Sequence, residues 1–280
     1  MQLHTINTGN FKLDGGAMYG VVPKVIWNKL NPADENNLCS WAMRCLLVEE
    51  TNRLVLIDTG IGNKQSEKFF SHYHLHGEES LERSLATRGF SRHDITDVFL
   101  THLHFDHCGG AIVNDGGIHK TAFPNATYWS NEKHWDWACS PNDREKASFL
   151  KENILPIRES GQLKFIDIKD EASLFPGFDI LFANGHTQSM MLPVLSYKGS
   201  TIVYMADLLP SVSHIPIPYI MAYDMFPMTT LKEKQTFLET AFENNYILYF
   251  EHDTRHECCT LRRTERGIRE DRVFSLSEFD

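Results

Sequence analysis

The stretch THLHFDHCGG (Thr101–Gly110) places three histidines and an aspartate within six residues. The apolar run DVFL precedes it and predicts a strand that ends just before His102. Side chains alternate along an extended chain, so His102 and His104 can point the same way, with Asp106 and His107 on the following turn. Imidazole and carboxylate groups suit zinc, manganese or iron. Either these residues bind metal or they belong to a surface loop, and the rest of the chain decides between the two.

Three further candidate ligands close apolar runs elsewhere in the sequence. FDILFANGH ends at His186, TIVYMAD at Asp207 and ILYFEH at His252. Taken singly, such a histidine is more often an ordinary hydrogen-bonded residue, and such an aspartate a turn residue. Strand ends on a rigid sheet nevertheless hold ligands with small positional error. We therefore predict a two-metal site in which one metal takes His102, His104 and His186, a second takes Asp106, His107 and His252, and Asp207 bridges them.

The remaining patterns predict a protein built from sheet and helix. CLLVEE (45–50) and RLVLIDTG (53–60) indicate two strands joined by a turn, and MLPVLSY (191–197) indicates another, in which Pro193 weakens the strand or marks a sheet edge. Helices are predicted over 78–90, 142–159 and 229–245, the last with Thr229 or Thr230 as N-cap. Strands in both halves with helices between them favour stacked layers of sheet and helix, in a single domain over 1–280.

Composition narrows the class of protein. The net charge of −10 disfavours a nucleic-acid surface, because phosphate binding needs clustered lysine and arginine. The N-terminus lacks the pattern of a signal peptide, and no apolar run reaches the roughly 20 residues of a membrane span. The six cysteines contain no C-x-x-C pair, which favours reduced thiols. We expect a cytoplasmic protein that binds neither nucleic acid nor membrane.

Other cysteine and histidine residues near the motif are expected to be structural or exposed. Cys108 adjoins the histidine cluster, and its commonest fate is burial as a small apolar residue. The alternating histidines of SHYHLHGEE have no carboxylate at ligand spacing and are predicted to be exposed; they are His72, His74 and His76. The same interpretation is given to His134 and His256.

The full set of candidate ligands resembles the metallo-β-lactamase superfamily. The segment LIDTG (Leu56–Gly60) is similar to that superfamily's early strand, where the aspartate, here Asp58, fixes the motif loop. The resemblance covers nearly the whole chain. It implies an α/β fold of the four-layer αβ/βα sandwich type, with two Zn²⁺ ions or other divalent metals at one edge.

Within the superfamily, GGAMYGVVPKVIW (15–27), PADENN (32–37) and ADLLPS (206–211) resemble the quorum-quenching N-acyl homoserine lactonases and related phosphotriesterase-like members. That resemblance implies a hydrolase that opens the ring of a small lactone or ester with a bridging hydroxide, while Asp106 shuttles a proton. Phosphotriester or aryl-ester hydrolysis on the same site is the alternative. A binding protein that retains the metal site without turnover is a third interpretation, which the complete ligand set disfavours.

One position departs from the lactonase pattern. Several lactonases carry a tyrosine three residues after the bridging aspartate, where this chain has Pro210. Tyr223 could supply the phenol instead, with His214 as its rival.

Two apolar segments remain without an assigned role. The first contains Met18, Tyr19, Val21, Val22 and Trp27, and the second is the proline-broken stretch 214–228. Either they line a substrate pocket, or they are ordinary core or a contact in a homodimer.

Overall fold

The computed structural model describes residues 1–279, in which the chain forms two compact units. The first unit comprises Met1–Asn10 and Met43–Ala172, and the second comprises Phe11–Ala42 and Ser173–Asp280. The prediction of one domain over 1–280 stays a prediction.

Helices are interspersed among runs of strands along the chain. The strands are β1 (Gln2–Asp14), β2 (Leu38–Glu50), β3 (Arg53–Ile57), β4 (Asp97–Phe99), β5 (Ile112–Asp115), β6 (Ile118–Thr121), β7 (Thr127–Ser130), β8 (Leu163–Phe165), β9 (Ala172–Phe175), β10 (Phe178–Ala183), β11 (Met190–Tyr197), β12 (Ser200–Tyr204), β13 (Ile247–Tyr249), β14 (Cys258–Thr264) and β15 (Gly267–Phe274). The helices are α1 (Gly15–Tyr19), α2 (Lys24–Trp27), α3 (Glu67–Ser71), α4 (Leu81–Thr87), α5 (Phe105–Cys108), α6 (Glu132–Cys139), α7 (Lys151–Glu159) and α8 (Pro227–Glu243).

A six-stranded sheet in the order β1-β2-β3-β4-β7-β8 organises the first unit. The predicted hairpin is confirmed, since β2 and β3 pair antiparallel with Glu50 opposite Arg53. From β3 to β8 the neighbours run parallel, so their carboxyl ends share one edge. The fully buried Leu56, Val98 and Tyr128 lie on these strands and belong to the hydrophobic core.

A seven-stranded sheet in the order β15-β14-β13-β12-β11-β10-β9 organises the second unit. Its central pair, β12 and β13, is parallel, with Tyr204 opposite Tyr249. The pairs β10–β11 and β11–β12 are antiparallel, so β10 runs in the same direction as β12. The carboxyl ends of β10, β12 and β13 therefore point the same way.

The edge-strand interpretation of Pro193 was wrong, because β11 lies between β10 and β12. Pro193 is opposite Ile180 in β10, whereas pairing with β12 begins only at Val194, opposite Val203. Pro193 thus lies beyond the part of β11 that pairs with β12, which is how the sheet tolerates a residue without an N–H group.

The predicted helices exist but differ in their boundaries. Helix α8 begins at Pro227, not after a threonine cap, because the fixed φ of proline suits the first helical position. In the 142–159 segment only Lys151–Glu159 is helical. Ahead of it, the Asn142 side chain accepts hydrogen bonds from the backbone N–H groups of Arg144 and Glu145, which holds a turn in place of a helix.

The apolar N-terminal segment is mostly core of the second unit. Met18, Val22 and Trp27 are buried, and the buried Tyr19 ring stacks on Trp27 at 5.4 Å between ring centroids. Of the five apolar residues named for this segment only Val21 is strongly exposed, at 88 %, and Val25 beside them is 75 % exposed. The core alternative therefore accounts for most of this segment.

Membrane-spanning helices and disulfides are both absent from residues 1–279. Within residues 1–279 no helix has both the length and the apolar character needed to cross a bilayer. In the same residues none of the six cysteines forms a disulfide.

Candidate metal centre

Four of the predicted ligands occupy equivalent places in their sheets. His102, His186, Asp207 and His252 each lie three residues beyond the last residue of a strand, namely β4, β10, β12 and β13. A polar residue just beyond a strand no longer takes part in strand pairing, but the strand still fixes the position of the backbone that leads to it. The predicted strand-end placement is confirmed.

Asp58 ties the strand ends of the first unit together. It directly follows β3, and its backbone N–H donates to the Phe99 carbonyl at the end of β4. Its carboxylate accepts bonds from the Thr101 N–H at 2.8 Å and the Thr101 hydroxyl at 2.6 Å. The Asp58 φ of 57° is in the left-handed region, which aspartate tolerates better than most residues. The motif loop therefore leaves the sheet in one fixed direction.

The two glycines that end THLHFDHCGG allow a close backbone approach. A Cβ on Gly109 would lie 2.1 Å from the Ile61 carbonyl oxygen, and one on Gly110 would lie 2.2 Å from that of Thr59. Neither position tolerates a side chain without moving backbone. The glycine pair thus seats the motif on the segment that follows Asp58.

His102 and His104 present ring nitrogens to each other. His102 Nε2 lies 3.1 Å from His104 Nδ1. The opposite nitrogens are engaged, because His102 Nδ1 donates to the Thr101 hydroxyl at 3.1 Å and His104 Nε2 donates to Glu145 at 3.0 Å. In neutral imidazoles with these partners, the facing nitrogens both carry lone pairs. Such a pair repels unless a cation lies between the two atoms, so this geometry fits a metal ion.

His107 and Asp106 complete the group in the first unit. His107 Nδ1 donates to Asp58 at 3.1 Å, which leaves Nε2 as the ligand atom, 3.9 Å from a carboxylate oxygen of Asp106. The His107 ring centroid is 3.9 Å from that of His102. The structure therefore brings together all four predicted ligands of the motif: His102, His104, Asp106 and His107.

His134 was predicted to be exposed, and that was wrong. It is buried, and its Nε2 accepts the Leu103 backbone N–H at 2.9 Å. Asn131 caps helix α6 by accepting the His134 N–H, which fixes the histidine on the first turn. His134 thus supports the backbone between the two ligand histidines.

Asp207 lies between two histidines in the second unit. One carboxylate oxygen is 3.1 Å from His186 Nε2 and the other is 3.1 Å from His252 Nε2. The other ring nitrogens donate to Asp224 at 2.8 Å and to the Ala42 carbonyl at 2.7 Å. Each oxygen of Asp207 thus faces one imidazole nitrogen, an arrangement that suits a carboxylate bridging two metal ions.

The charge state of His186 depends on what lies against it. Burial disfavours the imidazolium, but Asp207 and Asp224 outweigh burial and raise the pKa of His186 to about 10. Without a metal the ring keeps a proton on Nε2 at neutral pH. A metal ion would take the place of that proton, so binding releases it.

Helix α8 positions the loop that carries His186. The Glu233 carboxylate accepts the backbone N–H groups of Asn184 at 2.8 Å and Gly185 at 3.0 Å. A Cβ on Gly185 would lie 2.2 Å from the Thr230 hydroxyl oxygen and 2.3 Å from its backbone nitrogen. Glycine therefore lets the residue before the ligand pack on the first turns of the helix.

The two candidates for the missing pocket tyrosine differ in environment. His214 is fully buried, its ring nitrogens bond to the Ser211 hydroxyl and the Met18 carbonyl, and burial lowers its pKa to about 3. It is thus a neutral core residue with both nitrogens in use. Tyr223 is 36 % exposed and precedes Asp224, the partner of His186. Its catalytic role stays a prediction.

The predictions for three neighbouring histidines and for Cys108 are confirmed, whereas His256 is half-buried and not exposed as predicted. His72, His74 and His76 are exposed. Cys108 is buried, its thiol donates to the Leu103 carbonyl, and burial raises its pKa to about 12. It is a structural thiol.

Sequence reasoning missed two carboxylates and an aromatic cluster. Glu145 and Asp224 bind ligand histidines from 41 and 38 residues away, and no local pattern marks either of them. Phe105, inside the motif, contacts Phe69 at 5.4 Å and Tyr73 at 4.7 Å between ring centroids. The adjacent aromatics of EKFFSHY were the available signal for the cluster.

Comparison with known proteins identifies the family. The family model described as "Metallo-beta-lactamase superfamily" matches residues 44–252. An N-acyl homoserine lactonase of Bacillus cereus is 23 % identical over 241 residues, covering 81 % of this chain and 86 % of the relative. A crystal structure described as a probable metal-dependent hydrolase from Staphylococcus aureus has a TM-score of 0.88 at 29 % identity, covering 98 % of this chain and 96 % of that one. AidC, a dizinc quorum-quenching lactonase in complex with a product, has a TM-score of 0.80 at 23 % identity, covering 98 % and 95 %.

The chain belongs to the metallo-β-lactamase superfamily, and the predicted fold class is confirmed. It is a metal-dependent hydrolase of that superfamily. Its histidine and aspartate groups support a dinuclear metal centre.

Proposed function

We propose that this enzyme opens the ring of N-acyl homoserine lactones or of similar small lactones and esters. The observation that carries the proposal is the arrangement of its imidazoles. Five ligand histidines each have one nitrogen hydrogen-bonded to a protein group, so that the other is held ready for a metal: His102, His104, His107, His186 and His252. Such partners fix the tautomer and orientation of metal ligands.

The two groups of ligands together would hold two zinc ions. His102, His104 and His186 would bind one, Asp106, His107 and His252 the other, and Asp207 both. Neutral imidazole and carboxylate oxygen without thiolate suit a catalytic zinc site. When bound, the cations supply Lewis acidity and a source of hydroxide at neutral pH.

Two side chains would then transfer the proton and stabilise the carbonyl oxygen. Hydroxide would add to the lactone carbonyl carbon, collapse of the tetrahedral adduct would re-form the carbonyl and break the ring C–O bond, and the departing oxygen needs a proton. Asp106 carries that proton from the attacking water to the leaving oxygen. The Tyr223 phenol donates a hydrogen bond to the carbonyl oxygen as negative charge develops there.

Two observations support a lactone with an apolar arm. Relatives covering 81 % of the chain are N-acyl homoserine lactonases. The half-exposed Phe69 and Tyr73 pack against Phe105, which separates two ligands, and offer an aromatic surface beside the motif. Because Pro210 replaces the usual tyrosine, phosphotriester or aryl-ester hydrolysis remains the second candidate.

The test compares substrates and variants. Purified enzyme should contain close to two zinc ions per chain and open acyl homoserine lactones in a pH-stat assay run beside a phosphotriester panel. His104→Ala and Asp106→Asn should abolish ring opening, whereas the matched exposed variant His72→Ala should retain it. A wild-type protein that is folded but free of metal would contradict the metal proposal. Failure to open any of the lactones would contradict the substrate proposal.

The proposal includes a homodimer and a cytoplasmic location. Val21 at 88 % and Val25 at 75 % exposure offer an apolar surface for a second copy. Sedimentation of wild type beside Val25→Glu tests the dimer, which the charge should weaken. Six cysteines without disulfides in residues 1–279 support a reducing compartment.

A further inference from the structure

The second unit contains a cavity with a cationic lining. It has a volume of about 390 Å³, within the range of small-molecule sites of roughly 300–1,000 Å³. Trp41 and Tyr219 contribute aromatic surface, and Lys29, Arg255 and Arg269 contribute charge. His252 also lines it. A molecule in this cavity would therefore lie beside a candidate metal ligand.

The charge of this cavity is opposite to that of the chain. The whole protein has a net charge of −10, yet three cations line the cavity against two carboxylates, Asp253 and Glu270. Asp253 is already occupied, because its two oxygens accept the backbone N–H groups of Val212, Arg255 and His256. Even with both carboxylates counted, the lining keeps a net charge of +1 with its histidines neutral.

The two arginines keep their charge available. Arg255 donates to the Leu30 carbonyl at 2.7 Å and Arg269 to the Ile268 carbonyl at 2.6 Å. Across residues 1–279 neither guanidinium forms an ion pair with a carboxylate. Each has five N–H donors in all, so most remain for a ligand.

Trp41 adds a donor with no protein partner. Its side chain is buried, and its indole Nε1–H makes no hydrogen bond within the part of the chain that the structure describes. A buried donor without an acceptor is costly, so structures normally satisfy it. Because Trp41 lines the cavity, an acceptor oxygen on a bound molecule would supply the missing partner.

We propose that this cavity binds an anionic, oxygen-rich group, a carboxylate or a phosphate, at the end of the substrate. The inference rests on the proposed function for the reacting part of the substrate and adds that the preferred lactone or ester is an anion. The anion lies among Arg255, Arg269 and Lys29, with the Trp41 N–H on one oxygen. The rest of the molecule passes His252 towards the reacting group.

Direct binding tests the cavity independently of turnover. Calorimetry on the zinc-loaded enzyme would use succinate and inorganic phosphate as probes, which also separates the two anion types. Loss of one charge-assisted contact should weaken the preferred probe by about tenfold in Arg269→Gln, and Trp41→Phe should weaken it as well. Arg266→Gln, an exposed arginine at the turn of the same β14–β15 hairpin, should bind like wild type. Equal affinity in Arg269→Gln and Arg266→Gln, or no binding of either probe, would overturn the site.

Kinetics then tests the link to the substrate. Two lactones of equal length, one ending in carboxylate and one in carboxamide, would be compared by kcat/KM. Wild type should prefer the carboxylate about tenfold, and Arg269→Gln should lose the preference. Equal rates in wild type would overturn this inference while leaving the lactonase proposal intact. Anion binding without opening of any lactone would instead overturn the proposed function and leave the anion site.

Discussion

Every ligand histidine in this enzyme is oriented by a second residue. Glu145 illustrates how far that support reaches, since its buried carboxylate accepts from both His104 Nε2 at 3.0 Å and Trp137 Nε1 at 2.7 Å. The first bond selects the His104 tautomer whose Nδ1 can bind metal, and the second holds the carboxylate itself. A residue that touches no metal thus determines the geometry of one that does.

Replacement of Glu145 should therefore weaken metal binding. Glu145→Gln keeps the side-chain size but loses the negative charge on the acceptor, and we expect about a 10- to 100-fold loss of zinc affinity in a chelator competition. Asp136→Asn is the matched control. Asp136 is an exposed carboxylate on helix α6, which precedes Glu145 in the chain. Equal zinc affinity in the two variants would show that Glu145 does not position His104.

Cys108 should be dispensable for the chemistry. Burial raises the pKa of its thiol to about 12, so almost no thiolate exists at neutral pH. Cys108→Ala should keep kcat/KM within about twofold, with a stability loss of about 1 kcal/mol from the small cavity. An inactive but folded Cys108→Ala protein would require a thiol mechanism.

At the scale of elements, the site depends on how short loops leave their strands. The motif leaves β4 under the control of Asp58, and its glycine pair packs on the segment after β3. In the second unit the loop after β10 is held by Glu233 and Thr230 of α8. In both places a glycine permits an approach that any side chain would block.

Gly110→Ala measures that close approach. Its added Cβ would meet the Thr59 carbonyl oxygen at 2.2 Å, and we expect about 3 kcal/mol loss in the free energy of unfolding by urea titration. Gly89→Ala is the informative comparison, because it has a φ of +84° but nothing within 4 Å. Backbone strain alone should cost it about 1 kcal/mol. A Gly110 variant no less stable than the Gly89 variant would contradict the packing described.

At the scale of the whole molecule, stability depends on buried charge as well as on the metal ligands. Lys234 on α8 is fully buried, and its ammonium donates to the Pro216 carbonyl at 2.8 Å and the Tyr219 carbonyl at 2.9 Å. It thereby holds the segment that follows the ligand Asp207. Burial lowers the pKa of Lys234 to about 7.

This lysine should make stability depend on pH. In the unfolded chain the amine stays protonated up to about pH 10.4, whereas in the folded protein it loses its proton near pH 7. Between those values the unfolded state binds more protons, so stability rises with pH; below pH 7 the contribution is constant. We expect the zinc-loaded wild type to gain stability from pH 7 to 9.5 relative to Lys234→Met in thermal unfolding. Lys232→Met, exposed on the same helix, should follow the wild-type slope. Parallel slopes for wild type and Lys234→Met would show that Lys234 keeps its proton when buried.

The sequence alone determined the ligand types and the strand ends that carry them. The apolar runs that precede the ligands are local patterns, so the sequence of each run is enough to predict where its strand ends. The ligands that follow these runs are His102, His186, Asp207 and His252. The set of candidate ligands and the LIDTG segment also indicated the family. Helix boundaries were less accurate, because a proline or an asparagine side chain within a few residues moved them.

Apart from Asp58, which the family resemblance indicated, only the tertiary structure revealed the residues that hold those ligands in place. Glu145 lies 41 residues from His104 and Asp224 lies 38 residues from His186, and a carboxylate on an otherwise ordinary loop carries no sign of its distant partner. The cationic cavity likewise combines Lys29 and Trp41 with residues beyond 210. Such groupings arise when separate segments pack against one sheet. They depend on long-range contacts that no periodicity within a single segment encodes.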